Sequence, residues 1–328
     1  MRNVFIKLYF KFFLWIYYRD ISVVGIENIP QKEPALLIAN HPNAIIDAAI
    51  VVSKIKRDIN LTAKGTLGKI PILSGILRRN NVVFFHRKQD AQKIDRDAMN
   101  KANLMKCVKV LQNGDLMLIF PEGLSYATGG LHQFKLGVSR ISKLYYEETG
   151  KVIPIIPIHL NYHKKEKMRS HVDMRIFTPV IKEKEFIKTE NYEIEVTNEL
   201  ETQMREYEDS IEHDEAPQGK FKNTFLSFML FLISLPGLIY ALLPSFLILK
   251  LSNKISKRED AFATARLFLS FVLFPIILLI ELSIFSVMIS FQLLILLLIL
   301  SFTIIISITH IYDIISYNKN SKANSISD

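Results

Sequence analysis

The chain has 328 residues, 49% of them hydrophobic, and a formal net charge of +9. This length accommodates one large domain and a further region, and the apolar residues crowd into the last third of the chain. The positive charge suits contact with anionic lipid or phosphorylated molecules, and no recognisable nucleic-acid motif or clustered basic helix favours nucleic acid as a partner. The single cysteine, Cys107, excludes an internal disulfide, and its helical context predicts a packing role.

Residues 1–19 are predicted to form an interfacial amphipathic helix that lies on a membrane. Aromatic and aliphatic residues are interleaved there with basic residues, and Lys7 and Lys11 interrupt the apolar run that a signal peptide needs. The alternative is a first helix that packs on the core of the following domain.

Residues 20–219 are predicted to form one α/β domain with a mixed, largely covered sheet and flanking helices. Strands are expected at the apolar segments 21–25, 35–39, 82–85, 116–120, 153–160 and 173–177. Helical patterns separate several of these segments, and one such predicted helix ends near Gly114. Strands that alternate with helices in this way are typical of a sheet with helices on its faces.

The first motif, Asn40-His41-Pro42-Asn43-Ala44-Ile45-Ile46-Asp47, follows the predicted buried strand at 35–39. Histidine is the side chain best suited to take a proton near neutral pH, and a nearby aspartate can hold its tautomer and stabilise the imidazolium. No conventional nucleophile stands beside the pair, which indicates that His41 activates a substrate hydroxyl. On one continuous helix, six positions rotate by about 600°, so the chain must bend for His41 and Asp47 to meet. Pro42 favours such a bend and itself suits a first helical turn.

The second motif, Phe120-Pro121-Glu122-Gly123-Leu124-Ser125, follows the predicted buried strand at 116–120. It places a carboxylate directly after the strand, and Gly123 permits close backbone approach. Ser125 lacks the G-x-S-x-G pattern of a nucleophile elbow, so a serine hydrolase is not indicated.

These motifs resemble those of the glycerolipid acyltransferase family, which includes glycerol-3-phosphate and lysophosphatidate acyltransferases. The resemblance covers roughly residues 20 to 160 and continues in order through Arg87 in 81–87, the motif at 120–123, Phe134-Lys135-Leu136-Gly137 and the proline-containing segment 152–157. Five residues separate His41 from Asp47, whereas the common family pattern has four. The chain therefore resembles the subgroup of glycerol-phosphate acyltransferase relatives that has the longer spacing.

The resemblance implies transfer of a fatty acyl chain from an acyl thioester to a hydroxyl of glycerol-3-phosphate or lysophosphatidate. The implied catalytic residues are His41 and Asp47, and the implied substrate-binding residues are Arg87, Glu122, Gly123, Lys64 and Lys135. No metal or tightly bound cofactor is expected, and acyl-CoA or acyl-carrier protein would be the cosubstrate. The alternatives are an acyltransferase for another lysophospholipid, a thioesterase or phospholipid hydrolase, and a catalytically inactive membrane scaffold.

Residues 220–316 are predicted to be a membrane region, and residues 317–328 a polar tail. Long apolar runs predict transmembrane segments at about 266–285 and 290–310. The run at 225–249 is interpreted as a re-entrant hairpin, with a spanning helix as the alternative, because Pro236-Gly237 interrupts it and a basic loop follows. Heavy use of Lys, Ile and Asn favours a bacterial source, hence an inner-membrane protein with its catalytic domain in the cytoplasm and membrane lipid as a partner. The alternative location is the endoplasmic reticulum.

Overall fold

A computed structural model describes residues 4–65, 82–85, 96–125, 130–164 and 169–211, and in addition positions 250, 251 and 276. The chain divides into two compact units. The first comprises Met1–Leu14, Ile21–Tyr162 and Val172–His213, and the second comprises Trp15–Asp20, His163–His171 and Asp214–Asp328.

The described elements alternate between helices and strands for most of the chain. The helices are α1 (Val4–Tyr17), α2 (Ile45–Lys54), α3 (Arg96–Gln112), α4 (Gly137–Thr149), α5 (Lys184–Ile187) and α6 (Tyr192–Ser210). The strands are β1 (Tyr18–Val24), β2 (Ala35–Ala39), β3 (Ile59–Lys64), β4 (Val83–Phe85), β5 (Leu116–Ile119), β6 (Ile155–Tyr162) and β7 (Ser170–Ile176).

The seven described strands form one sheet in the order β1-β7-β6-β2-β5-β3-β4. Strand β2 lies between β5 and β6 and pairs with both in parallel, while β5 pairs in parallel with β3, and β3 with β4. Strands β6 and β7 pair antiparallel. The predicted mixed α/β fold with flanking helices is therefore confirmed.

The central strands consist of apolar residues because both of their faces are covered. Every residue of β2 and of β5 is buried. Side chains from these strands pack with apolar residues of α3, α4 and α6 into one core cluster. Cys107 belongs to this cluster, where burial raises the pKa of its thiol to about 12, in agreement with the predicted packing role.

Several predicted boundaries differ from the observed ones by a few residues. Strands β1, β6 and β7 begin at Tyr18, Ile155 and Ser170. The helix after the first motif begins only at Ile45, so Pro42 does not lie in its first turn as expected. The whole segment between His41 and the helix is instead an irregular turn.

Within the described ranges, no helix combines the length and the apolar composition that crossing a membrane requires. The segments predicted at 225–249, 266–285 and 290–310 lie outside the described residues, apart from position 276. Their membrane assignment therefore stays a prediction, as does the interfacial role of residues 1–19.

Candidate active site

The site lies at the edge of the sheet where four parallel strands end. Strands β2, β3, β5 and β6 run in the same direction, so their carboxyl ends meet at one edge. In open α/β sheets this edge is the usual position of a binding crevice. Both sequence motifs begin here, because His41 follows β2 and Glu122 follows β5.

His41 and Asp47 are in contact across the turn that precedes α2. Nδ1 of His41 lies 2.9 Å from Oδ2 of Asp47. The aspartate side chain is fully buried, whereas 17% of the histidine side chain is exposed. The backbone amide of Asn43 also donates to Oδ2 of Asp47, at 2.8 Å. The irregular turn thus brings together two residues that a continuous helix would hold apart.

The turn has an unusual backbone conformation at Ala44. This residue has φ 48° and ψ −124°, outside the regions that residues with a Cβ atom prefer. Its backbone amide donates to Oγ of Ser125 at 3.0 Å. Ser125 of the second motif therefore supports the turn of the first motif, a role that the sequence did not indicate.

The ring of His41 is held on two sides. It stacks on the ring of Phe120, with 4.0 Å between centroids and 17° between planes. When the Asp47 carboxylate accepts the proton on Nδ1, the lone pair of the imidazole resides on Nε2. This arrangement suits a base that takes a proton at Nε2.

The side chain of Glu122 contacts the backbone of His41. The amide of His41 donates to Oε1 of Glu122 at 2.9 Å, and the glutamate is 2% exposed. Burial raises the pKa of Glu122 to about 8, and the charges of Asp47 and Glu208 act in the same direction. The backbone amides of His41 and His132 offset part of this effect.

A second ionisable pair, the buried His159 and the partly exposed Glu208, acts on Glu122 through the charge of Glu208. Nε2 of His159 is 3.9 Å from Oε1 of Glu208, and His159 is 2% exposed. The neighbouring His159 lowers the pKa of Glu208, against the opposing effect of its own burial. The two glutamates are thus shifted in opposite directions, which leaves Glu208 as the carboxylate and Glu122 as the acid near neutral pH.

Two of the predicted binding residues, Lys135 and Gly123, lie beside each other. Gly123 has φ +70°, and a Cβ atom built on it would lie 2.6 Å from Nζ of Lys135. The amide of Lys135 donates to the carbonyl of Pro121 at 3.0 Å. A glycine at position 123 therefore leaves room for the lysine amine next to the motif.

Of the other two predicted binding residues, Lys64 lies within the described residues and Arg87 does not. Lys64 is the last residue of β3, so it stands at the same edge of the sheet as His41. Arg87 lies outside the described residues, and its role stays a prediction. Among the residues that the structure does describe, no group of three or more His, Cys, Asp or Glu side chains is arranged to hold a metal ion.

Asn40 and Tyr162 contribute to the site but were not among the predicted catalytic or binding residues. Asn40 donates to the carbonyl of Leu160 at 3.0 Å and accepts from the amide of Leu160 at 2.7 Å, which locks the end of β2 to β6. The hydroxyl of Tyr162 donates to Oδ1 of Asp47 at 2.5 Å. The position of Asn40 next to His41 could have indicated its role from the sequence. The role of Tyr162 can be inferred only when the order of the strands is known.

The segment that carries the site is similar to known proteins. Residues 20–161 match the family model described as Acyltransferase. The match supports the resemblance to the glycerolipid acyltransferase family that the motifs of this segment carry.

The similar proteins carry a more specific name than the family model does. A 1-acyl-sn-glycerol-3-phosphate acyltransferase of Borreliella burgdorferi is 32% identical over 127 residues, which cover 39% of this chain and 48% of that protein. A chloroplastic 1-acyl-sn-glycerol-3-phosphate acyltransferase of Arabidopsis thaliana is 26% identical over 155 residues, covering 47% of this chain and 39% of that protein. The matched region thus spans less than half the length of either relative.

A solved structure is also similar. The crystal structure of the 1-acyl-sn-glycerophosphate acyltransferase PlsC from Thermotoga maritima superposes with a TM-score of 0.48 at 21% identity. The superposition covers 63% of this chain and 79% of that chain.

Proposed function

We propose that the protein is an acyltransferase that moves a fatty acyl chain from an acyl thioester to the free hydroxyl of lysophosphatidate. The observation that carries this proposal is the 2.9 Å contact between Nδ1 of His41 and Asp47 at the edge where β2 and β5 end. The named relatives support lysophosphatidate as the acceptor, because both are 1-acyl-sn-glycerol-3-phosphate acyltransferases.

In the proposed mechanism, Nε2 of His41 takes the proton of the acceptor hydroxyl. The hydroxyl oxygen attacks the thioester carbonyl, the carbon–sulfur bond breaks, and the released thiolate recovers the proton from His41. Asp47 keeps the proton-bearing nitrogen at Nδ1 and stabilises the imidazolium that forms. General-base action of this kind contributes about 10²- to 10⁴-fold to the rate.

The acceptor phosphate would be bound by basic residues around the same edge. Lys135 lies beside the second motif, and Lys64 ends β3 at this edge. Arg87 completes the proposed set, since a guanidinium presents a planar fork that matches phosphate geometry. Binding the phosphate would place the free hydroxyl of the acceptor near His41.

The donor and the surroundings are part of the proposal. Acyl-CoA or acyl-carrier protein would deliver the chain as a cosubstrate, with no tightly bound cofactor. The acceptor is a lipid, so the enzyme would work at a bacterial inner membrane with its catalytic domain on the cytoplasmic side.

The proposal is tested by thiol release from acyl-CoA with the full-length protein. Lysophosphatidate and glycerol-3-phosphate are supplied as separate acceptors to the wild type, His41→Gln and Asp47→Asn. We expect release that depends on lysophosphatidate and that falls by about 10²- to 10⁴-fold in His41→Gln. Asp47→Asn should also lose activity, because its amide favours the wrong tautomer of His41.

Asp173→Asn is the matched control for Asp47→Asn. The carboxylate of Asp173 accepts a 2.5 Å hydrogen bond from Ser22 and lies on β7, which is two strands away from β2. This variant should keep its activity. Release without any acceptor would instead indicate a thioesterase, and unchanged activity in His41→Gln would contradict the proposed base.

A further inference from the structure

Asp47 has hydrogen-bond donors in addition to His41. Its two carboxylate oxygens receive different donors among the described residues. Oδ2 accepts from Nδ1 of His41 at 2.9 Å and from the amide of Asn43 at 2.8 Å. Oδ1 accepts from the hydroxyl of Tyr162 at 2.5 Å. A fully buried carboxylate with hydrogen bonds on both oxygens cannot turn about its terminal torsion without breaking one of them.

The sheet determines the position of Tyr162. This residue ends β6, the strand that pairs with β2 in parallel register from Leu36 to Ala39. Beyond the last pair, the buried side chain of Asn40 makes two hydrogen bonds with the backbone of Leu160, at 3.0 and 2.7 Å. Tyr162 is therefore connected rigidly to the residue that precedes His41.

The connection matters because of the long spacing between His41 and Asp47. The helix α2 begins at Ile45, so Asp47 lies in its first turn while His41 lies before the irregular turn. Local helical geometry alone does not orient the two side chains toward each other. A third contact from the neighbouring strand supplies an orientation that the turn does not impose.

We propose that Tyr162 is a positioning residue, whose hydroxyl holds Oδ1 of Asp47 so that Oδ2 stays directed at Nδ1 of His41. It does not touch the reacting atoms. The kinetic part of this inference rests on the proposed function, whereas the geometric part concerns only the hydrogen bond between His41 and Asp47.

Tyr162→Phe tests the inference, because it removes the hydroxyl and retains the ring. Tyr192→Phe is the matched control, since Tyr192 is a buried tyrosine on α6 whose hydroxyl bonds to Oγ of Ser142 on α4 at 2.8 Å. In the full-length protein we expect kcat to fall by about 10- to 100-fold in Tyr162→Phe, the range for one lost hydrogen bond to a charged group. KM for both substrates should stay within about twofold, because Tyr162 acts on the base and binds neither substrate.

A second measurement is independent of activity. In protein labelled with ¹⁵N at histidine, the proton on Nδ1 of His41 gives a signal that depends on its hydrogen bond to Asp47, and His41→Gln identifies it. We expect Tyr162→Phe to shift or broaden this signal and Tyr192→Phe to leave it unchanged.

The outcomes separate the two proposals. If the wild type transfers no acyl chain but the signal changes in Tyr162→Phe alone, the proposed function is wrong and the positioning role stands. If the enzyme is active while Tyr162→Phe matches the wild type in kcat and in the His41 signal, the positioning role is wrong. Equal losses in both tyrosine variants would also overturn it, because they would reflect general destabilisation.

Discussion

The backbone amide of His41 donates a 2.9 Å hydrogen bond to Oε1 of Glu122, a side chain that is 2% exposed. Burial raises the pKa of this carboxyl to about 8. His41 is therefore anchored through its main chain to an acid that is largely protonated at neutral pH. Since Oε1 can accept the bond in either protonation state, the anchor does not itself require the charge.

Glu122→Gln should change how stability depends on pH. The folded protein retains the proton of Glu122 up to about pH 8, whereas the unfolded chain releases it near the ordinary value of 4.5. Between these values the folded state binds one more proton than the unfolded state. The free energy of unfolding of the wild type therefore falls as pH rises, with a contribution from this group of up to about 1.4 kcal/mol per pH unit.

The glutamine variant retains an acceptor oxygen for His41 and does not titrate. Relative to the wild type, it should become more stable as the pH is raised from about 5 toward 8, with the difference levelling off above that value. Denaturant unfolding at several pH values measures the difference. A constant difference across this range would mean that Glu122 is already ionised in the folded protein.

Ala44→Gly should stabilise the protein. Ala44 has φ 48° and ψ −124°, a conformation that glycine adopts without the steric cost of a Cβ atom. Strain of this type costs of order 1–3 kcal/mol, which the substitution relieves. The extra conformational freedom of glycine in the unfolded chain offsets about 0.5–1 kcal/mol of this gain. We expect a net gain of about 1 kcal/mol in the free energy of unfolding. The hydrogen bond from the amide at this position to Ser125 is kept, because it involves only the backbone.

Ala48→Gly provides the control with the opposite sign. Ala48 lies inside α2, where replacement of alanine by glycine costs about 1 kcal/mol. The two variants make the same chemical change at two different backbone conformations. A loss of stability in Ala44→Gly as large as that in Ala48→Gly would show that Ala44 is not strained.

The sequence predicted the central part of the fold because burial leaves a simple pattern. Ala35–Ala39 and Leu116–Ile119 are continuous apolar runs, and both are strands buried on their two faces. Their parallel pairing explains why the two motifs that follow them come together. The start of β1 was misplaced because Tyr18, Arg19 and Asp20 do not show an apolar pattern, although they belong to the strand.

The finer geometry of the site depended on contacts between distant segments. Tyr162 is 115 residues from Asp47 in sequence, and Ser125 is 81 residues from Ala44. Neither pair can be found from periodicity, since each requires the order of the strands and the path of a loop. The spacing of His41 and Asp47 did indicate a bend, but not that Ala44 would adopt a positive φ.

Arg57 connects the segments that precede β2, β3 and β5, at the end of these strands opposite to His41. Its Nη1 donates to the carbonyls of Pro30 and Glu33, both at 2.7 Å. Its Nη2 donates to the carbonyls of Lys32 and Gly114, at 3.2 and 2.7 Å. A planar guanidinium with several donors can serve four carbonyl groups at once, and a lysine ammonium on a flexible stem cannot reproduce this geometry.

Arg57→Lys should therefore destabilise the protein although the charge is retained. Because some of these bonds are exposed to water, we expect a loss of about 1–2 kcal/mol in the free energy of unfolding, measured by urea denaturation. Arg140→Lys is the matched control, since its guanidinium makes one 2.8 Å ion pair with Glu193 and its side chain is 51% exposed. An exposed pair of this type contributes at most about 1 kcal/mol, so the control should change stability less. Equal effects of the two substitutions would mean that the carbonyl contacts of Arg57 contribute no more than an ordinary surface charge.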